Sequence, residues 1–139
     1  MVRILVAEDD AALGRLVCRA LSGEGFEAVH CVDGQEALSL MQEQAFDMLV
    51  CDVMMPKMDG FQLAAAVRAG DKNMPILFMT ALGDKASKQR GYGLGIDDYV
   101  EKPFDTDILV LRIRALLRRA NIEKSRELVA GNLRMNADE

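Results

Sequence analysis

The feature that most constrains the fold is a regular alternation between two hydrophobic periods. Short apolar runs occur five times, at residues 2–7, 26–31, 48–51, 75–80 and 99–100. Segments with the three-to-four-residue spacing of amphipathic helices separate and follow these runs. Because parallel strands need long crossover connections, five strand–helix repeats predict an α/β fold with a doubly wound, five-stranded parallel sheet and helices on both faces.

Capping residues and glycines mark the helix ends. Asp33, Asp59 and Asp105 each precede a helical pattern and can cap it, whereas Gly23 and Gly25 end the first helix. The fourth helix, from about residue 84 to 95, contains three glycines, and an interior glycine costs about 1 kcal/mol relative to alanine. We therefore expect that helix to be short or mobile.

Length and charge narrow the class of protein. The 139 residues suffice for one domain, and the net charge of -5 argues against a nucleic-acid-binding surface over most of the chain. No apolar run approaches the roughly 18 residues of a membrane span. Met1 leads directly into the first apolar run without a signal-peptide pattern, which favours a cytoplasmic location. The three cysteines are predicted to be reduced core residues.

Polar side chains follow four of the predicted strands, where ligands bind in doubly wound folds. In chain order these groups are Glu8, Asp9, Asp10, Asp52, Thr80 and Lys102. Three neighbouring acids repel one another, and oxygen ligands favour a hard cation such as Mg²⁺. Three of these groups also have a plain structural interpretation: Asp10 as the N-cap of the first helix, Thr80 as a strand-end hydroxyl, and Lys102 as a solvated lysine.

Asp52 is the hardest of these residues to explain structurally. It follows the apolar run 48–51, which we expect to be the most buried strand. An unpaired carboxylate there is costly, so it needs a partner, and a metal ion together with Lys102 would provide one.

Several motifs, in order, make the sequence resemble the receiver domains of two-component response regulators. The resemblance covers about residues 1 to 120. It implies a flavodoxin-like (βα)5 fold with strand order 2-1-3-4-5. The motifs are ILVAEDD at 4–10, DVMMP at 52–56, DG at 59–60, TA at 80–81 and DDYVEKPF at 97–104.

The resemblance implies roles for particular residues. Asp52 matches the phosphoacceptor, while Glu8, Asp9, Asp52 and the backbone carbonyl of Met54 match the Mg²⁺ ligands. Thr80 and Lys102 match the groups that contact the phosphoryl oxygens. Thr80 and Tyr99 match the switch residues, and a cis peptide is expected at Lys102-Pro103.

The implied function is a phosphorylation-activated signalling switch rather than an enzyme, apart from slow autodephosphorylation. A sensor histidine kinase would donate the phosphoryl group in a phosphorelay. A charged phosphoryl group can draw Thr80 inward and open space for Tyr99, so we place the moving element in the fourth helix. Alternatively, Gly95 is only a helix terminator and Tyr99 only a half-buried strand residue.

The C-terminal part of the chain differs in charge from the rest. Residues 1–107 carry 10 basic and 18 acidic groups, whereas residues 108–139 carry 7 and 4. In the subfamily with winged-helix effectors, a dimer forms through the fourth helix, fifth strand and fifth helix, and basic residues pair with acidic residues across it. Arg112 and Arg119 match those basic residues, and Asp98 and Asp97 match the acidic ones. Ile108 departs from that pattern, since the subfamily commonly has an acid there, opposite a base at the position of Lys88.

The tail predicts a second domain that this chain does not complete. Residues 121–126 form a polar linker, and residues 128–136 resemble the opening strands of a winged-helix effector. The alternative is a disordered tail. On the effector interpretation, residues 121–139 are the linker and the start of a truncated domain. The protein would then regulate transcription, with DNA bound only through the absent effector and no membrane involved.

Two other functions fit the sequence less well than the switch. A flavin-binding protein of this architecture would place a phosphate-binding loop rich in Ser, Thr and Gly after the first strand, where this chain has three acids. A phosphatase with an aspartyl nucleophile would place its DxD pair there, whereas the nucleophile predicted here follows the third strand.

Overall fold

The computed structural model describes residues 1–81 and 83–120. Five strands and five helices alternate within them, as the periodicity predicts. The strands are β1 (Arg3–Ala7), β2 (Glu27–Cys31), β3 (Met48–Cys51), β4 (Ile76–Thr80) and β5 (Asp98–Glu101). The helices are α1 (Ala11–Gly23), α2 (Gly34–Glu43), α3 (Gly60–Gly70), α4 (Lys85–Gly93) and α5 (Thr106–Arg119).

All strand pairs are parallel, and the order in the sheet is β2-β1-β3-β4-β5. This confirms the predicted doubly wound, flavodoxin-like (βα)5 fold. The register aligns Ala7 with Cys51 and Thr80 with Glu101, so the residues that follow these strands meet at one edge of the sheet. That edge is where the sequence places the site.

Two apolar clusters cover the two faces of the sheet. One joins Leu5 and Leu49 to α2 and α3, and the other joins Ile4 and Val50 to α1 and α5. Every residue of β3 is buried, as expected for a central strand covered on both faces. Cys31 and Cys51 are buried, and all three cysteines of the chain are free thiols.

Side-chain caps begin four of the helices. Asp10, Asp33, Asp59 and Asp84 each accept a hydrogen bond from the backbone N–H three residues later. Asp105 stands at the predicted N-cap of α5 but makes no side-chain cap bond. The prediction that Asp10 caps the first helix is therefore confirmed. Of the three acids after β1, Glu8 and Asp9 remain as candidates for the site.

The ends of β2 and α4 differ from the sequence prediction. Phe26 lies outside β2 because its N–H bonds the carbonyl of Leu21 at the end of α1. Helix α4 has nine residues and is shorter than the predicted span. Leu94 caps it, and Gly95 follows with a φ of +100°, a conformation that favours glycine. The terminator interpretation of Gly95 fits this geometry.

Within the described ranges, no helix combines the length and apolar character needed to cross a membrane. The predicted linker and effector start, residues 121–139, lie outside the described residues.

Candidate functional site

Three carboxylates meet at the carboxyl edge of the sheet, as the sequence predicts. Glu8 and Asp9 follow β1, and Asp52 follows the neighbouring strand β3. One oxygen from each lies within 4.8 Å of the others. Glu8 and Asp52 are buried, whereas Asp9 is exposed. Of the three acids, Asp9 is therefore the one that solvent reaches.

Lys102, the residue that follows β5, joins this cluster. Its Nζ lies 2.8 Å from Oε1 of Glu8 and 2.9 Å from Oδ2 of Asp52. Its backbone N–H donates to the carbonyl of Thr80 at 2.9 Å, and the Lys102-Pro103 peptide is cis, as the resemblance implied. The solvated-lysine alternative is wrong, because the ammonium spans two buried acids.

Burial and charge set the protonation of these groups. Burial raises the pKa of Glu8 from 4.5 to about 7. The Asp52 charge adds to the rise, while Lys102 and the N–H of Asp10 oppose it. Burial lowers the pKa of Lys102, but its hydrogen bonds to Asp52 and Glu8 outweigh this and leave the pKa raised. One lysine thus balances only part of the negative charge of three acids.

The donor set fits a hard divalent cation. All three side chains offer carboxylate oxygens, and their excess of negative charge over Lys102 is what such a cation would offset. Oxygen ligands and close carboxylates suit Mg²⁺ better than softer metals. Met54, the predicted backbone ligand, follows Asp52 in the same loop, and its N–H donates to Oδ1 of Asp52 at 3.3 Å.

Gly60 lets α3 begin directly behind Asp52. A Cβ at this position would lie 2.4 Å from the backbone oxygen of Asp52, and the Gly60 N–H donates to the carbonyl of Val53 at 2.8 Å. The sequence contained this glycine only as part of a family motif. The close approach gives the physical reason for it.

Tyr99 occupies a buried position between β5 and α4. Only 6% of its surface is exposed, and its hydroxyl donates to the carbonyl of Ser87 at 2.8 Å. Its ring packs edge-on against Phe78 and Tyr92, with centroids 5.6 and 5.7 Å away. Burial raises the pKa of its hydroxyl. Tyr99 is thus buried rather than half-buried, and it ties β5 to the helix that follows Thr80.

Gly91 makes this packing possible, which the sequence analysis missed. A Cβ there would lie 2.8 Å from Ile96, 3.0 Å from the Tyr99 hydroxyl and 3.3 Å from Phe78. From the sequence, Gly91 is only one of three glycines that weaken the fourth helix. Sequence alone held no signal for the contact, because its partners lie in other elements.

Three of the four residues assigned to a dimer face, Asp97, Asp98 and Arg112, form ion pairs within the chain. Arg112 contacts Asp98 at 3.0 Å, and Arg68 contacts Asp97 at the same distance. Oδ2 of Asp97 also accepts from the N–H at the start of β4 at 2.8 Å. Arg119 ends α5 and is exposed.

Lys88 also has a partner within the chain. Its Nζ lies 2.9 Å from Oε2 of Glu101. The family pattern marks Lys88 only through the missing acid at Ile108, and it gives no sign of Glu101. This exposed pair gives Lys88 a carboxylate partner without Ile108.

Comparison with known proteins identifies the family. The sequence profile of the response regulator receiver domain matches residues 4–114. This chain belongs to that family. It is therefore a receiver domain of a two-component response regulator, a class of signalling switches.

Relatives and solved structures agree with this assignment. The heme response regulator HssR of Staphylococcus aureus is 40% identical over 136 residues, covering 98% of this chain and 60% of HssR. The chain thus spans less than two thirds of that relative's length. The receiver domain of Francisella response regulator 1452 has a TM-score of 0.80 at 34% identity, covering 86% of this chain and 98% of its own. The chemotaxis response regulator CheY4 of Vibrio cholerae has a TM-score of 0.80 at 33% identity, covering 84% and 99%.

Proposed function

We propose that this receiver domain is switched by transfer of a phosphoryl group from a sensor histidine kinase to Asp52. The observation that carries the proposal is the position of the Asp52 carboxylate. It is buried at the end of the central strand β3, yet lies 2.9 Å from a lysine ammonium and beside two further acids. A structural carboxylate would not need a second and third carboxylate next to it.

Besides the two proteins, the transfer needs only a proton, which solvent supplies. An oxygen of Asp52 forms a bond to phosphorus, and the phosphorus–nitrogen bond of the kinase phosphohistidine breaks, leaving a neutral imidazole after proton uptake. Negative charge gathers on the phosphoryl oxygens during this step. The Lys102 ammonium lies 2.9 Å from the attacking carboxylate and can stabilise the negative charge on the phosphoryl oxygens.

We assign Glu8, Asp9, Asp52 and the backbone carbonyl of Met54 as Mg²⁺ ligands. When bound, Mg²⁺ would offset charge on the acids and on the phosphoryl oxygens. Burial is the main cause of the raised pKa of Glu8, and the negative charge of Asp52 adds to it. Lys102 is held by two of the acids and therefore stays inside the site.

Thr80 and Tyr99 form the proposed switch. Thr80 is buried at the end of β4, and the segment between it and Tyr99 contains α4. An inward shift of the Thr80 hydroxyl toward a phosphoryl group would move the start of that segment. The Tyr99 hydroxyl donates a hydrogen bond to the backbone carbonyl of Ser87 in α4, so a movement of α4 would change the position of Tyr99.

For the output, we propose dimerisation through α4, β5 and α5, with Asp97, Asp98, Arg112 and Arg119 at the interface. This surface exposes the apolar side chains of Tyr92, Ile108 and Leu111. Because Asp97 and Asp98 have partners within the chain, dimerisation would have to exchange those pairs for pairs across the interface. Ile108 would contribute apolar contact in place of an ion pair.

We further propose that residues 121–139 begin a winged-helix effector and that the whole protein regulates transcription in the cytoplasm. The greater length of the HssR relative supports a longer protein. DNA binding would belong to that effector and not to residues 1–120.

The proposal is tested by incubating the chain with acetyl phosphate and MgCl₂ and recording its intact mass. The wild type should gain the mass of one phosphate, and chelation of Mg²⁺ should prevent the gain. Asp52→Asn should abolish it, while Asp107→Asn, at an exposed aspartate of α5, should not. Unchanged labelling of the Asp52→Asn variant would refute the assignment.

A further inference from the structure

The ring of His30 lies between the end of β1 and the first turns of α1. Nε2 of His30 is 2.8 Å from the backbone oxygen of Glu8. A carbonyl oxygen only accepts, so this nitrogen carries the proton and donates it. A Cβ at Gly14 in α1 would lie 2.1 Å from the same nitrogen. The ring therefore fills the space that a side chain at position 14 would need.

This contact acts on the peptide that joins two of the acids. The carbonyl of Glu8 belongs to the Glu8-Asp9 peptide, and its orientation fixes the directions in which the two side chains leave the backbone. The Glu8 N–H donates to the carbonyl of Cys31 at 2.9 Å. Strand β2 thus holds Glu8 through both of its backbone polar groups, one by way of the His30 side chain.

We propose that His30 is a positioning residue for the cation site, and that Gly14 is its counterpart in α1. His30 would hold the Glu8-Asp9 peptide so that both carboxylates face the cation before it binds. Hydrogen bonds behind metal ligands commonly set their orientation and affinity. The inference rests on the proposed function, because it assumes that Glu8 and Asp9 bind Mg²⁺.

The test is a titration of the full chain with MgCl₂, followed by amide chemical shifts. His30→Leu keeps the volume of the side chain but loses the donor, and it should weaken Mg²⁺ binding roughly tenfold. His30→Gln puts an amide N–H near the place of Nε2 and should retain most of the affinity. Equal affinity of His30→Leu and the wild type would overturn the proposal.

Val29→Ala supplies the matched control. Val29 precedes His30 in β2, so its side chain lies on the opposite face of the sheet, where it packs against the apolar cluster that contains Leu5 and Leu49. Its truncation should lower the unfolding midpoint while leaving Mg²⁺ affinity unchanged. A loss of affinity in Val29→Ala equal to that in His30→Leu would reduce His30 to a structural role. A wild type with no Mg²⁺-dependent shifts would instead refute the metal site itself.

Gly14→Ala gives an independent route if His30→Leu does not fold. The added methyl should displace the His30 ring, lower the unfolding midpoint and weaken Mg²⁺ binding to a similar degree. In a His30→Ala background the same change should raise the midpoint, because alanine favours a helix over glycine. If Gly14→Ala keeps wild-type Mg²⁺ affinity, or acts alike in both backgrounds, the coupling and the proposal fail.

Discussion

Replacement of Glu8 by glutamine should stabilise the metal-free domain at alkaline pH. Glutamine resembles the protonated carboxyl in shape and carries no charge. Burial raises the pKa of Glu8 from 4.5 to about 7. Since one pKa unit corresponds to about 1.4 kcal/mol, keeping Glu8 ionised in the folded chain costs about 3 kcal/mol at pH 8. This figure already includes the opposing effect of Lys102, whose Nζ lies 2.8 Å from Oε1 of Glu8.

The effect should depend on pH in a defined direction. A group whose pKa is raised by folding favours the folded state below its unfolded value, and that contribution disappears as pH rises through the folded value. The wild type should therefore lose stability between about pH 4.5 and 7 from this group, and Glu8→Gln should not. The advantage of the variant should be about 1 kcal/mol at pH 5.5 and about 3 kcal/mol at pH 8.

Urea denaturation in the presence of a chelator measures this difference. Glu43→Gln, at an exposed position of α2, is the matched control and should change stability by less than about 0.5 kcal/mol at each pH. Saturating Mg²⁺ should shrink the advantage of Glu8→Gln, because the cation stabilises the ionised site. A difference between wild type and Glu8→Gln that stays constant from pH 5.5 to 8 would refute the reasoning.

Three further predictions concern other parts of the chain. Arg112→Glu should prevent phosphorylation-dependent dimerisation in sedimentation experiments by placing like charge near Asp98, without reducing phosphate incorporation; a phosphorylated variant that still dimerises would contradict the assigned face. Lys57 has a φ of +69°, and Lys57→Gly should relieve about 1–2 kcal/mol of strain at the entropy cost of a glycine, for a net gain of about 0.5–1 kcal/mol in the free energy of unfolding. Lys57→Ala keeps the strain and should not stabilise the domain, and a gain from both variants would exclude the backbone explanation. Gly91→Ala should destabilise the domain by about 1–3 kcal/mol, because its methyl would lie 2.8 Å from the nearest neighbour. Nothing lies within 4 Å of a methyl at Gly93, so the midpoints of thermal unfolding of Gly91→Ala and Gly93→Ala should shift in opposite directions.

The sequence was sufficient to predict where the site lies. The apolar run of β3 indicated a strand buried on both faces, and the parallel topology then brought Asp52 to the same edge as Glu8 and Asp9. These inferences succeed because periodicity and burial are properties of local sequence. The chemistry of a buried carboxylate adds the requirement for Lys102 or a cation.

The contacts that tune the site could not be read from the sequence. His30 and Gly14 meet across a strand–helix interface, and nothing in their local pattern marks either as a partner of the other. Arg68 reaches Asp97 from 29 residues away. Such pairs depend on the relative placement of whole elements, which hydrophobic periodicity leaves open.

The most direct test of the central claim is to identify the residue that carries the phosphoryl group. Hydride reduction converts an aspartyl phosphate to homoserine, which peptide mass spectrometry can locate after treatment of the chain with acetyl phosphate and Mg²⁺. The account predicts homoserine at position 52, and none there when Mg²⁺ is chelated. Homoserine at position 9 or 10 instead, or at position 52 to the same extent without Mg²⁺, would contradict it.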